Sequence, residues 1–142
     1  MRIDFYVSPS NQPQARLVLA CRLARKAWQT NKPCWLRCAD PEQQQALDEL
    51  LWSWRDDFFM PHNKAQENPN APIVLAVDDL PAQDDTILIN LHLDAVEQSL
   101  LKQPTLSRII EIVCQDEEIL LKSRQNFVYY RKLGYQPQRV EL

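Results

Sequence analysis

Residues 72–77 read Pro-Ile-Val-Leu-Ala-Val, five apolar side chains in succession behind a proline. A strand with one wet face alternates apolar and polar residues, whereas a strand covered on both faces is apolar throughout. This run therefore predicts a strand buried in the middle of a sheet. Thr86-Ile-Leu-Ile-Asn-Leu91 and Arg108-Ile-Ile-Glu-Ile-Val-Cys114 read as further strands.

Working outward, Ile3 to Val7 alternates and reads as the first strand. Ser8-Pro-Ser-Asn-Gln-Pro is a turn, with Pro13 suited to a helix start. Leu17, Leu19, Ala20, Leu23, Ala24 and Trp28 then recur at helical spacing to about Thr30. Cys34 to Cys38 is a short strand. Asp40 is a fitting N-cap and Pro41 a fitting first residue for a second helix. Ala46, Leu47, Leu50 and Leu51 are its expected buried stripe. A loop is expected from Trp54 to about Ala71, and a polar turn from Asp78 to Asp85. Leu93 to Leu101 reads as a short helix or helical turn. Asp116 to Leu133 reads as a long helix closed by Gly134, and Tyr135 to Leu142 as a tail able to add an edge strand. Strands alternating with helices predict a single α/β domain over residues 1–142, with a mostly parallel sheet and helices on both faces.

Composition narrows the function. The chain has 142 residues and one glycine, Gly134. Phosphate-cradling loops need several glycines, because backbone N–H groups must converge on the anion without side chains in the way. A standard phosphate loop or dinucleotide fingerprint is thereby excluded, and no cofactor is expected. The formal net charge of −3 is the wrong sign for tight, direct DNA binding. No apolar run is long enough for a membrane span, and Met1 to Val7 does not read as a signal peptide; a cytoplasmic protein is expected. Cys21, Cys34, Cys38 and Cys114 form no CxxC pair and lie far in sequence from His62 and His92 as a set, so buried thiols are expected and no metal site. Carboxylates fall in runs at turns and at one helix start. No Ser-His-Asp order or nucleophile elbow is present, and His62 is read as a structural or interface histidine.

Two regions stand out as surface for partners. Leu51-Trp52-Ser53-Trp54, with Phe58, Phe59 and Met60, is dense in aromatics for a segment without periodicity. In the last helix, Leu120, Arg124, Phe127, Val128 and Arg131 are spaced to share one face. An apolar strip bearing guanidinium groups suits a ligand with a hydrophobic side chain and a carboxylate, which arginine can grip with two parallel hydrogen bonds. Lys122 and Lys132 add positive potential nearby. The competing reading of this strip is a core stripe whose arginines reach out to solvent.

At this point the chain resembles a family, the chi subunits of bacterial DNA polymerase III holoenzyme. Leu47-Asp-Glu-Leu-Leu-Trp52 and Phe59-Met-Pro-His-Asn63 are similar to that family's L-D-x-x-L-W and F-x-P-H segments. Arg124 through Tyr130-Arg131-Lys-Leu-Gly134-Tyr135 is similar to its R-x-x-x-x-x-Y-R-x-x-G-[FY] close. The resemblance implies a nucleotide-binding-like α/β fold without nucleotide chemistry. It also implies a non-catalytic adaptor between the clamp loader, reached through a small partner named psi, and the acidic C-terminal tail of single-stranded DNA-binding protein. By position it places Val113 and Arg124 at the tail site, with Phe127 where the family has a tyrosine. Leu120 and Val128 stand where lysines are familiar, leaving Lys122 and Arg131 to supply that charge. Trp52, Phe59, Pro61 and His62 become the candidate psi-facing surface. The alternatives are a small α/β nucleotide-binding domain or enzyme, and a single-stranded DNA binder that stacks bases on its aromatics.

Overall fold

The computed structural model describes residues 1–53 and 60–142. Its strands are β1 (Arg2–Val7), β2 (Cys34–Arg37), β3 (His62–Lys64), β4 (Ile73–Ala76), β5 (Thr86–Asn90), β6 (Leu106–Val113) and β7 (Gln138–Glu141). Its helices are α1 (Gln14–Gln29), α2 (Pro41–Ser53), α3 (Gln98–Leu101) and α4 (Glu117–Lys132). The strands form one sheet in the order β3-β4-β2-β5-β6-β1-β7, and every pair is parallel. No described helix is long and apolar enough to cross a membrane.

The apolar run at 72–77 is β4, and all four of its residues are buried. Alternation along the strands sorts the core into two layers. Leu36, Ile73, Leu75, Ile89 and Ile112 pack under α1 and α2 with Ala20, Ala24, Leu47 and Leu51. Phe5, Trp35, Val74, Leu88 and Ile109 form the other layer with Ile119 and Tyr130 of α4 and Leu100 and Leu101 of α3. Cys21, Cys34 and Cys38 lie in the first layer, and burial pushes each thiol up to about 12, so none is a ready nucleophile.

Three expectations need correction. The segment after residue 59 is not all loop, since His62–Lys64 pairs with Ile73–Leu75 as a polar edge strand. Ala46 is exposed, and Gln44 takes the buried place in α2, where its amide donates to the Leu75 carbonyl at 2.8 Å. The helix expected over Leu93–Leu101 is confined to Gln98–Leu101.

Gly134 ends α4 with φ +97°, a conformation costly for a residue with a Cβ. That turn sends the chain back to lay β7 beside β1, with Phe5 opposite Arg139 and Val7 opposite Glu141.

Connections leave β1 and β6 in opposite directions, so the crevice between their carboxyl ends is where α/β sheets usually hold ligands. Here it is closed. Ser8 N–H donates to the Val113 carbonyl at 2.8 Å, and Gln115 N–H to the Ser10 carbonyl at 2.7 Å. Arg16, in the first turn of α1, is buried across the carboxyl ends of β5 and β6. Its Nε donates to the Ile112 carbonyl at 3.1 Å, and a terminal nitrogen donates to the Leu91 carbonyl at 3.3 Å.

Candidate functional site: a cleft between the last helix and the last strand

Helix α4 begins at Asp116, whose carboxylate accepts from the Ile119 N–H at 3.2 Å. Glu117 and Glu118 in the first turn and Arg131 and Lys132 in the last complement the helix dipole. Ile119, Asn126 and Tyr130 face the sheet. Two buried polar contacts fix the helix in place. Asn126 donates to the Leu93 carbonyl at 2.8 Å. The Tyr130 hydroxyl donates to Glu111 Oε2 at 2.6 Å and accepts the Val96 N–H at 2.9 Å. Asn90 donates to the same Glu111 oxygen at 2.9 Å. Burial pushes the Glu111 carboxyl up to about 7, against the downward pull of the Tyr130 and Asn90 hydrogen bonds and of the Arg16 charge. Burial likewise raises the Tyr130 phenol.

Beside this anchored helix opens a cleft of about 490 Å³, within the usual range for ligand sites. Phe5, Val7 and Val113 make its floor. Leu120, Arg124, Phe127 and Val128 make one wall, and Arg139 and Glu141 of β7 the other. Phe127 packs on Phe5 with ring centroids 5.2 Å apart and a 55° tilt, so its ring is held at the cleft rather than free to swing. Arg124 is exposed, and among the described residues it enters no ion pair within 4.0 Å. An apolar floor beside a guanidinium can take an apolar side chain and an adjoining carboxylate together.

Val113, Arg124 and Phe127 are thus brought to one place, with Leu120 and Val128 beside them. Lys122 and Arg131 do not line this cleft. Lys122 points the other way and pairs with Asp94 at 3.0 Å. Arg131 lies with Val128 and Lys132 on the outer crest of α4. Sequence reasoning missed Arg139 and Glu141. Their shared face follows from alternation along the tail, but only the register with β1 shows that this face is the cleft.

The second surface lies at the opposite, β3 edge of the sheet. Trp52, at the end of α2, is 59% exposed, and its ring meets the His62 ring edge-on at 4.8 Å. His62 is buried; its Nδ1 donates to the Met60 carbonyl at 2.7 Å, and its Nε2 lies 3.4 Å from Asp48 Oδ1. Pro61 is half-buried beside it. Trp54, Phe58 and Phe59 fall outside the described residues.

Residues 1–138 match the family model described as "DNA polymerase III chi subunit, HolC". Similar curated proteins carry the name DNA polymerase III subunit chi. The one from Pseudomonas aeruginosa is 42% identical over 134 residues, 94% of this chain and 92% of that one. The one from Escherichia coli K12 is 27% identical over 120 residues, 82% and 79% of the two chains. Among solved structures, T4 UvsW matches with a TM-score of 0.70 at 9% identity, over 99% of this chain and 41% of that one. The second domain of the DEAD-box helicase Mss116p, bound to an RNA duplex, matches at 0.60 and 9% identity, over 100% and 65%. At that identity the two structures speak to the fold alone.

Proposed function

Because the chain belongs to the DNA polymerase III chi subunit family, we propose that it is a non-catalytic cytoplasmic adaptor of the replicative holoenzyme. In this reading the α4–β7 cleft holds the acidic C-terminal tail of single-stranded DNA-binding protein, and the Trp52 edge meets psi of the clamp loader. The observation that carries the first assignment is that Arg124, Phe127 and Val113 line one cleft. The tail's terminal apolar side chain would lie on Phe5 and Val113, with its carboxylate on Arg124.

A labelled acidic peptide ending in an apolar residue with a free carboxylate is expected to bind with micromolar affinity. Arg124→Ala should weaken it about five- to tenfold, the size of one partly exposed charge-assisted contact. Affinity should fall with added salt. Undiminished binding by the Arg124 variant removes the assignment.

For psi, the exposed indole of Trp52 is the expected anchor, since tryptophan is enriched among residues that dominate interface energies. Trp52→Ala should reduce co-purification with psi by about tenfold or more while leaving peptide binding intact. Equal recovery would rule this surface out. The net charge of −3 favours protein partners over direct tight contact with DNA.

A further inference from the structure

Resting on the reading of the cleft as an acidic-peptide site, we infer that β7 is its selectivity wall: Arg139 is a second carboxylate anchor held in reserve by Glu141, which an acidic peptide displaces.

The register places Arg139 beside Phe5 and Glu141 beside Val7. Phe5 and Val7 form the cleft floor, so strand alternation turns both charges toward α4. The Arg139 guanidinium lies 2.6 Å from Glu141 Oε1, with the two side chains 63% and 64% exposed. Charges on an edge strand also discourage pairing with other chains. That role would be served on either face of β7, whereas these two flank the same cleft as Arg124.

An exposed ion pair of this kind contributes little, because water screens both charges. It therefore opens readily when another carboxylate competes for the guanidinium. A peptide whose only carboxylate is terminal uses Arg124 and leaves the Arg139–Glu141 pair closed. A peptide with further aspartates can draw Arg139 away from Glu141. A neutral peptide gains nothing from either residue. Glu141 thus sets a threshold that only a multiply acidic peptide crosses.

The test compares two peptides of equal length and the same apolar, free-carboxylate end. One carries several aspartates and the other carries asparagines in their place. Binding is measured to the full chain, to Glu141→Gln, to Arg139→Ala and to Arg124→Ala. For the aspartate peptide, Glu141→Gln should tighten binding about threefold and Arg139→Ala weaken it about threefold, as expected for exposed charges at a binding rim. Neither should alter binding of the asparagine peptide, while Arg124→Ala weakens both. If Arg124→Ala acts but the β7 variants do not, the latch is wrong and the cleft assignment stands. Equal β7 effects on both peptides also overturn the latch, since they would reflect no choice between ligands. If neither peptide binds the full chain, the cleft reading itself fails, and the latch with it.

Discussion

Glu111→Gln is expected to make the protein more stable at pH 8 by roughly 3 kcal/mol, and the gain should vanish near pH 4. Glu111 is buried, and burial lifts its carboxyl from 4.5 to about 7. Below the unfolded value both states hold the proton, and the carboxylic acid sits in the core without a charge to desolvate. As pH rises from there, the unfolded chain releases its proton first, so the native state loses stability until pH passes about 7, where the native carboxyl ionises too. Glutamine has no proton to lose. Its oxygen can accept from Tyr130 and Asn90 as Glu111 Oε2 does. Urea unfolding of both proteins across pH 4 to 8 checks this. Free-energy curves that stay parallel would show that Glu111 ionises in the native state as freely as in the unfolded one.

Arg16→Ala is expected to cost about 2 to 3 kcal/mol, the loss of two hydrogen bonds from a charged donor, partly offset by no longer burying a guanidinium. Burial lowers the Arg16 value, opposed by the Glu111 charge, and the side chain sits at a helix N-terminus where the dipole disfavours a cation. Such a placement persists because the Ile112 and Leu91 carbonyls accept its N–H groups. Arg16→Met restores volume without donors and should recover only the packing part of the loss. A variant within about 0.5 kcal/mol of the parent, the range of ordinary surface changes, would mean that Arg16 does not hold the ends of β5 and β6 together. The same side chain fills the space at the carboxyl ends of β5 and β6.

Much of this was legible in the sequence. The apolar run at 72–77 and the helical spacing of Leu19, Ala20 and Ala24 fixed the layers, because burial on two faces or one leaves different periods. Strand β3 was not legible, because His62-Asn63-Lys64 has no apolar alternation and is held by backbone pairing with β4. Gln44 rather than Ala46 takes the buried side of α2, where its amide donates to the Leu75 carbonyl alongside the Ala65 N–H, a tertiary contact invisible in a local pattern. At the cleft, the spacing of Leu120, Arg124, Phe127 and Val128 marked one wall. Lys122 was expected to add charge there, but Asp94 draws it away, a pairing across 28 residues. The opposite wall depends on the register of β7 against β1, which a short exposed tail does not announce.

Docking of an acidic carboxyl-terminal peptide between α4 and β7 is tested most directly by titrating the isotopically labelled protein with that peptide and following the backbone amide signals. The largest shifts are expected at Val113, at Arg124 to Val128 and at Arg139 to Glu141, with the α1–α2 face, marked by Cys21 and Leu47, unmoved. Shifts centred on that face or on the Trp52 edge, with the α4–β7 cleft silent, would contradict the claim.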